Sequence, residues 1–417
     1  MKKIKVAHLF CLFIYLIVFD PCYSQQVDKK KPIILLRSSW QTINIGDVGH
    51  TPGVLALLEK QLPDVEVKLW ASKVDNGVRE MLLRRFPNLD IILSSDTLKL
   101  SQAFNECSFL LHGSGPYLVA DQDIKRWVKQ TGKPYGVFGI TLPEERATQE
   151  VLSLLSNARF VYFRDTVSLE LAKSKGVNSP IMHFGPDGAF AVDLRNETAA
   201  NKFLKANQLE AGRFICVIPK YRRTPKWKIP SDNAPYDSSI NALNESMKEH
   251  DLLPYRNAII DLVRISKIKV LICPEDVTQV ALGKEMLYDP LPTDVKKQVV
   301  WRNSYWLTDE ALSVYVKSAG LFGLEQHSPI MCIANGVPAL LGRFKEQTSK
   351  GFMWYNIGLK DWFFDSDDES RMQHLSATIR SFVSEPGKNM VKVEAAQEIV
   401  KKTQSKMVQH LKKEIFN

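Results

Sequence analysis

GLFGLEQHSPIMCIANGVPALLGRFKEQTSKGFMWYNIGL, residues 320–359, is the stretch that indicates the fold most directly. A short apolar run at 320–324 is followed by an apolar helical stretch at 329–335, and the residues 336–338 end that helix and begin the next strand. His327 therefore lies at a strand-to-helix junction. In an open α/β sheet such junctions lie at the carboxyl ends of strands, where ligands bind, and a helix amino terminus there favours an anion.

The same alternation of strand and helix patterns extends outward over most of the chain, which is typical of parallel sheets covered by helices. Apolar runs predict strands at 33–37, 65–69, 91–94, 109–112, 135–140, 160–164, 181–184, 213–219, 269–273, 299–301, 321–324, 338–341 and 362–364. Periodic patterns predict helices at 53–61, 77–85, 122–131, 147–156, 166–175, 252–266, 277–288, 309–318 and 329–335, with a long charged helix from residue 388.

Length and composition favour two domains. The chain has 417 residues, of which 45% are hydrophobic and 24% charged, and this length exceeds what one core usually organises. A polar stretch at 195–212 reads as the connection between two similar units. We therefore predict an α/β fold with Rossmann-like domains at 25–205 and 206–387 and a carboxyl-terminal helix at 388–417.

The first 24 residues have the features of a secretory signal peptide. Lys2, Lys3 and Lys5 precede an apolar run at 6–19, and small residues at 22–24 suit cleavage before Gln25. The alternative is an uncleaved membrane anchor, although a bilayer span needs roughly 20 apolar residues. We expect export to the periplasm, cell surface or medium, with membrane contact only through this segment if it stays uncleaved.

Charge and cysteine content narrow the possible partners. Lysine and arginine outnumber aspartate and glutamate, which suits anionic ligands or acidic glycans, but a basic surface without a specific partner explains the excess equally well. No further basic motif indicates nucleic-acid binding. We expect buried thiols rather than disulfides or a metal site from the cysteines beyond residue 24, and no cofactor; these cysteines are Cys107, Cys216, Cys273 and Cys332.

Polar residues follow several predicted strands. A glycine-containing loop at 37–50 leads to Thr51 and Pro52, predicted as the N-cap and first position of a helix, so its free N–H groups could meet a ligand. Asp47 in this loop is a candidate binding residue or simply a capping residue. After the next such strand, the turn at 112–116 either lets a substrate approach the backbone or is only a tight turn.

Arg164 and the long connection at 220–254 supply further candidates. The guanidinium of Arg164 could bind a carboxylate or phosphate through two N–H groups, or could brace the helix that follows. The connection is unusually long for a strand-to-helix loop and interleaves aromatic and cationic residues, including Arg222 and Trp227. It could stack a sugar ring and hold carboxylates or sulfates, or it could be a mobile surface insertion.

Taken together, these motifs resemble those of the polysaccharide pyruvyl transferase family. The resemblance is carried by short motifs: Asn44-x-Gly46-Asp47, the turn with Gly113 and Ser114, Arg164-Asp165-x-x-Ser168, Pro186-Asp187, His327, Gly336-Val337-Pro338, Lys350-Gly351 and Ile357-Gly358-Leu359. It implies a GT-B-type arrangement, with a cleft between the two domains, and transfer of a pyruvyl group from phosphoenolpyruvate to sugar hydroxyls of a polysaccharide as a ketal.

The resemblance also implies roles for residues. His327 is expected to act as general acid or base, because the ordinary pKa of an imidazole lies near 6.5. Arg164 and Lys350 are expected to hold the anionic donor. The substrate-binding candidates are Asn44, Gly46, Asp47, Gly113, Ser114, Asp187, Glu325, Arg222 and Trp227.

Glu325 stands where the family typically has arginine, and we expect its carboxylate to repel a phosphorylated donor at close range. This departure favours another anionic donor, a repositioned donor or a loss of transfer. Two alternatives therefore remain open at this point: a glycan-binding protein that keeps the fold without the chemistry, and a GT-B glycosyltransferase that uses a nucleotide sugar.

Overall fold

Two parallel sheets organise the protein, whose structure is a computed structural model that describes residues 31–416. The first sheet consists of β1 (Ile33–Ser38), β2 (Glu66–Ala71), β3 (Asp90–Leu93), β4 (Phe109–His112), β5 (Tyr135–Ile140), β6 (Val161–Phe163) and β7 (Met182–Phe184). The second consists of β8 (Phe214–Ile218), β9 (Lys269–Ile272), β10 (Val299–Trp301), β11 (Gly320–Gly323), β12 (Ala339–Arg343) and β13 (Phe363–Asp365). All thirteen strands of the described residues fall on predicted strand positions, within two residues at either end.

Helices follow most of the strands and cover both sheets. In the first half they are α1 (Ile45–Gln61), α2 (Val78–Arg85), α3 (Thr97–Glu106), α4 (Asp121–Thr131), α5 (Gln149–Asn157), α6 (Thr166–Ser174) and α7 (Glu197–Ala206). In the second half they are α8 (Ser238–Ser266), α9 (Gln279–Leu282), α10 (Thr293–Lys296), α11 (Thr308–Tyr315), α12 (His327–Ala334), α13 (Met353–Asn356), α14 (Glu369–Met372), α15 (Leu375–Ser384) and α16 (Pro386–Phe416). The α/β fold class with two Rossmann-like sheets is confirmed.

The strand order places one reversal point in each sheet. The first sheet runs β3-β2-β1-β4-β5-β6-β7, and the second runs β10-β9-β8-β11-β12-β13. The order reverses between β1 and β4 in the first sheet and between β8 and β11 in the second. Loops at the carboxyl ends of such neighbouring strands diverge and leave a crevice for a ligand. Each sheet therefore contributes one crevice to the molecule.

Helix α1 begins eight residues earlier than predicted. Asn44, not Thr51, is the N-cap, and its side-chain oxygen accepts hydrogen bonds from the N–H groups of Gly46 and Asp47 at 2.8 and 3.1 Å. Pro52 lies inside the helix rather than at its first position. Glycines and a proline read as a loop in the sequence, but close packing requires the glycines: a Cβ on Gly53 would lie 2.0 Å from the carbonyl oxygen of Gly188.

Other predicted boundaries also change. Helix α8 begins at Ser238, so only the first half of the predicted 220–254 loop is irregular, and Pro254 lies within the helix. The polar connection at 195–212 contains α7, a helix that the sequence did not predict. The other helices absent from the prediction are α3, α10, α13, α14 and α15.

The core is continuous across the two sheets. One cluster of buried apolar residues includes α1, both sheets and α16, and a second lies on the other face of the first sheet. Helix α16 returns to the first sheet, where the hydroxyl of Tyr162 lies 2.5 Å from Nδ1 of His410. The four cysteines predicted to be buried thiols are free and buried.

Some sequence predictions have no structural test. The predicted signal peptide lies outside the described residues. Within the described range, no helix has the length and hydrophobicity needed to cross a bilayer. The predicted boundary between residues 205 and 206 coincides with the end of α7 and stays a prediction.

Packing at Gly53 gives a testable prediction. We expect Gly53→Ala to destabilise the protein severely or prevent folding, because the added Cβ would overlap the backbone of Gly188. Gly387→Ala is the matched control, since a Cβ there meets no atom within 4 Å and alanine favours a helix by about 1 kcal/mol over glycine. Chemical denaturation of both variants measures the difference. Equal stability of the two variants would contradict this description of the α1 packing.

Candidate functional site

The site lies where the carboxyl ends of the strands at both reversal points meet. A cavity of about 520 Å³ opens there, which we call the histidine cavity. Its wall includes Asn44 and Asp47 from the start of α1, Lys220 after β8, and Glu325 and His327 after β11, together with Lys350. Five of the predicted site residues, Asn44, Asp47, Glu325, His327 and Lys350, therefore line one cavity.

The amino terminus of α1 links the two halves of the site. The N–H of Ile45 donates to the carbonyl of Glu275 at 2.9 Å, and the hydroxyl of Thr308 donates to the carbonyl of Ile45 at 2.8 Å. Gly46 lies against His327, because a Cβ on Gly46 would come within 2.3 Å of the His327 side chain. Gly46 thus allows α1 to approach α12, and it supports the site without lining the cavity.

Glu275 holds one nitrogen of His327. Its carboxylate lies 3.2 Å from Nδ1 of His327 and accepts from the N–H and the hydroxyl of Ser328, both at 2.7 Å. Burial alone would raise the pKa of Glu275, but the hydrogen bonds from His327 and Ser328 bring it below its ordinary value. An ionised carboxylate accepts only, so Nδ1 of His327 carries a proton.

His50 occupies the other nitrogen of His327. The two Nε2 atoms lie 3.0 Å apart, and Nε2 of His50 also lies 3.2 Å from Oδ2 of Asp187. Nδ1 of His50 is buried and has no hydrogen-bond partner among the described residues. The proton of a neutral His50 therefore belongs on Nε2, where it has two acceptors. Nε2 of His327 is then the unprotonated atom, which accepts from His50.

Asp187 is held ionised in the interior. Burial opposes the charge, but His50, Arg164 and His327 together hold the pKa of Asp187 well below its ordinary value. Arg164 donates to Oδ2 of Asp187 at 2.6 Å and to the hydroxyl of Thr141 at 2.7 Å. We call the connected set Glu275, His327, His50, Asp187 and Arg164 the histidine network.

Arg164 is placed differently from the expectation. Its side chain is only 1% exposed and is bound to Asp187 and Thr141, so it does not line the histidine cavity. Asp165 caps α6 through the N–H of Ser168 at 2.8 Å. In this structure Arg164 is an internal brace, because its Nε and Nη1 donate to buried acceptors. Its predicted role as a donor clamp has no geometric support here.

Glu325 does not present a free negative charge. Its carboxylate forms an ion pair with Lys220 and accepts from the amide of Gln279 at 2.7 Å. Burial raises the pKa of Glu325. The negative charges of Glu325 and Asp276 raise the pKa of Lys220 despite its burial. The expected repulsion of a phosphorylated donor is therefore offset by a cation that the sequence places 105 residues away.

Lys350 and Asp47 lie on the open side of the histidine network. Burial lowers the pKa of Lys350, and the nearby Lys220 and Arg164 lower it further. The pKa of Asp47 is lowered, against the effect of burial, by His327, His50 and Lys350. Oδ1 of Asp47 lies 4.0 Å from Nε2 of His327. The carboxylate and the ammonium thus face the cavity beside the unprotonated imidazole nitrogen.

The remaining predicted residues lie elsewhere. Gly113 and Ser114 are buried and do not line the histidine cavity. The hydroxyl of Ser114 accepts from the N–H of Gly188 at 2.7 Å. Arg222 and Trp227 line a second cavity of about 760 Å³, which we call the aromatic cavity. Arg222 itself is bound by Asp251, Glu346 and Asp367.

Asp47, His50 and His327 also have the composition of a divalent-metal site. They bring one ligand atom each to within 4.8 Å of one another. Two observations favour the hydrogen-bonded arrangement over a bound metal ion. Nδ1 of His50 would have to carry the proton if Nε2 bound a metal, and it has no acceptor among the described residues. Oδ2 of Asp187, the next oxygen available, already accepts from Arg164.

Sequence reasoning missed three residues of this site, namely His50, Glu275 and Lys220. His50 lies three residues after Asp47, on the same face of α1. Glu275 and Lys220 follow β9 and β8, at the carboxyl ends of strands, and this position was the available signal.

Comparison with solved structures identifies the same architecture. MnaA from S. aureus, solved with UDP, superposes with a TM-score of 0.58 at 9% identity, covering 91% of this chain and 96% of that chain. UDP-GlcNAc 2-epimerase from Neisseria meningitidis, bound to UDP-GlcNAc, gives 0.55 at 10% identity, covering 92% and 100%. HepE from Anabaena in complex with UDP gives 0.53 at 10% identity, covering 92% and 100%. At such identities the likeness shows the GT-B-like fold alone.

Sequence comparison identifies the family to which the chain belongs. Among curated proteins, no sequence matches this chain. The family model for polysaccharide pyruvyl transferase matches residues 44–340, a range that begins at the N-cap of α1 and ends within β12. It includes both histidines of the histidine network and covers well over half of the chain. The chain therefore belongs to the polysaccharide pyruvyl transferase family.

Proposed function

We propose that the protein transfers the pyruvyl group of phosphoenolpyruvate to two hydroxyls of a polysaccharide sugar. The observation that carries the proposal is His327, whose Nδ1 lies against the carboxylate of Glu275, on the wall of a cavity that also contains Lys220 and Lys350. A base beside two cations suits a reaction between a hydroxyl and an anionic donor.

The reaction balances without a cofactor. One sugar hydroxyl adds to the substituted carbon of the donor double bond, and the methylene carbon takes up a proton to become a methyl group. The second hydroxyl then replaces the phosphate at the same carbon, and its proton leaves with the phosphate. Two C–O bonds form, one C–O bond to phosphate breaks, and the product is a ketal.

The described residues divide these tasks. Nε2 of His327 removes the proton from the attacking hydroxyl while the Nε2–H of His50 turns to its other acceptor, Oδ2 of Asp187, and Nε2 of His327 can return that proton to the methylene carbon. Glu275 stabilises the imidazolium that forms, because it accepts the hydrogen bond from Nδ1. His50 is fully buried and does not line the cavity, so it positions His327 rather than contacting substrate. Lys350 and the paired Lys220 offset the charge of the donor.

The direct test is phosphate release. Purified protein is incubated with phosphoenolpyruvate and a panel of methyl hexosides and envelope polysaccharides, and released phosphate and the mass of the glycan are measured. We expect phosphate release that depends on an acceptor and equals the pyruvyl groups gained. Glycan binding without phosphate release in any combination would contradict the proposal and match a non-catalytic glycan-binding protein.

Removing the proposed base should reduce turnover without unfolding the protein. We expect His327→Gln to lower turnover by about 10²-fold or more, since general acid–base catalysis contributes on that scale. His183→Gln is the control, because His183 is exposed on β7 and should leave turnover unchanged. Turnover rates are compared for variants whose circular dichroism and melting temperature match the wild type. A folded His327→Gln variant with full turnover would remove His327 from the chemistry.

Lys350 should make donor binding sensitive to pH. Because its pKa is lowered by burial, its positive charge is lost as pH rises at a lower pH than for an ordinary lysine, and donor affinity falls there. Lys350→Arg keeps the charge and should retain affinity up to about pH 10. Calorimetric titration of phosphoenolpyruvate across this range measures the effect, with the exposed Lys360→Gln as control. Parallel profiles for Lys350→Arg and the wild type would exclude Lys350 as a donor contact.

Export is a separate part of the proposal and rests on the sequence of residues 1–24 alone. The basic start, the apolar run and the small residues at 22–24 support cleavage before Gln25. Amino-terminal sequencing of the protein from its native host should therefore begin near Gln25. Recovery of the protein from the cytosol with Met1 intact would refute export.

A further inference from the structure

The aromatic cavity adjoins the histidine cavity. The two cavities share four wall residues: Pro116, Thr224, Lys226 and Lys350. Most of the remaining wall comes from the segment 220–237 between β8 and α8, and from the first turn of α8. A chain-like ligand that passes these four shared residues would occupy both cavities.

Two aromatic rings form part of this wall. Trp227 and Tyr236 meet edge to face, with ring centroids 5.2 Å apart and an interplanar angle of 72°. Tyr236 is 63% exposed, so most of its ring is accessible to a ligand. Burial of such a ring is favourable. Flat apolar rings with a few polar groups around them are suited to the apolar face of a sugar.

Most of the unpaired charges of the wall are positive. Arg223 and Lys226 are exposed and form no ion pair among the described residues. Of the two carboxylates of the wall, Glu346 is paired with Arg222, whereas the exposed Asp237 caps α8 through the N–H of Ile240 and forms no ion pair among the described residues. Lys228, on the same segment, packs its ammonium over the ring of Tyr221. The cavity therefore offers its ligand more free cations than unpaired carboxylates, with Arg223 and Lys226 against Asp237.

We propose that the aromatic cavity binds the part of the acceptor glycan adjacent to the pyruvylated sugar, and that this part carries a negative charge. The inference rests on the proposed function for the identity of the acceptor, but the cavity's preference for an anionic glycan is measurable without turnover. The sugar ring packs on Trp227 and Tyr236, and its anionic group faces Arg223 and Lys226. The acceptor hydroxyls then lie past the shared residues, on the side of His327.

Equilibrium binding to the full chain tests the proposal. The probes are oligogalacturonate, a sulfated galactan oligosaccharide and the neutral galactan oligosaccharide of equal length, titrated by calorimetry at low and high salt. We expect one or both anionic probes to bind roughly tenfold more tightly than the neutral probe, and the difference to shrink as salt rises. Binding of oligogalacturonate alone identifies a carboxylate, whereas binding of both identifies recognition of charge.

Variants separate the two contributions. Arg223→Gln combined with Lys226→Gln should weaken the anionic probes by roughly threefold to tenfold and leave the neutral probe unchanged, because exposed ion pairs are individually weak. Trp227→Ala should weaken all probes by about tenfold. Lys360→Gln, an exposed lysine outside both cavities, should have no effect.

Three outcomes would overturn the inference. These are equal affinity for neutral and anionic probes, no binding of any probe, and equal losses in Lys360→Gln and the double variant. The proposed transfer fails independently: anionic probes that bind without any phosphate release support the aromatic cavity and count against transfer. Phosphate release that proceeds equally well on neutral acceptors would support the transfer and count against recognition of an anionic glycan.

Discussion

The hydrogen bond between the two imidazoles is the contact on which the site depends. It joins Nε2 of His50 in α1 to Nε2 of His327 in α12, across 277 residues of sequence. Each imidazole is backed by a buried carboxylate, Asp187 for His50 and Glu275 for His327. A buried charge is costly unless it is paired and hydrogen-bonded, so each member of this network requires the others. The network therefore fixes α1 against α12 and also sets the protonation of His327.

This constraint explains local features that look unrelated. Gly46 is needed because any side chain there would overlap His327, and Gly53 is needed because α1 packs on the backbone at Gly188. Arg164, which resembles an anion-binding residue in the sequence, is instead engaged in keeping Asp187 ionised. The cations of the cavity wall left for an anionic substrate are Lys350, the paired Lys220 and the exposed Lys73 and Lys226. Binding and positioning are thus assigned to different residues.

The strands were predictable because each is a short apolar run bounded by polar or glycine residues, and a strand of a parallel sheet is buried on both faces. The start of α1 was not predictable, since its glycines and Pro52 favour a loop locally and only packing against α12 makes them helical. His327 was predictable from its place after a strand. Its partners were not, because Glu275 and His50 meet it through tertiary contacts that one sequence does not reveal.

The histidine network holds Nε2 of His327 unprotonated beside the cavity. Nitrogen-15 chemical shifts of the imidazoles, recorded near neutral pH and assigned with His327→Gln and His50→Gln, test this protonation pattern. We expect a proton on Nδ1 of His327 and on Nε2 of His50. A proton on Nε2 of His327, or a His50 protonated on Nδ1, would contradict this pattern.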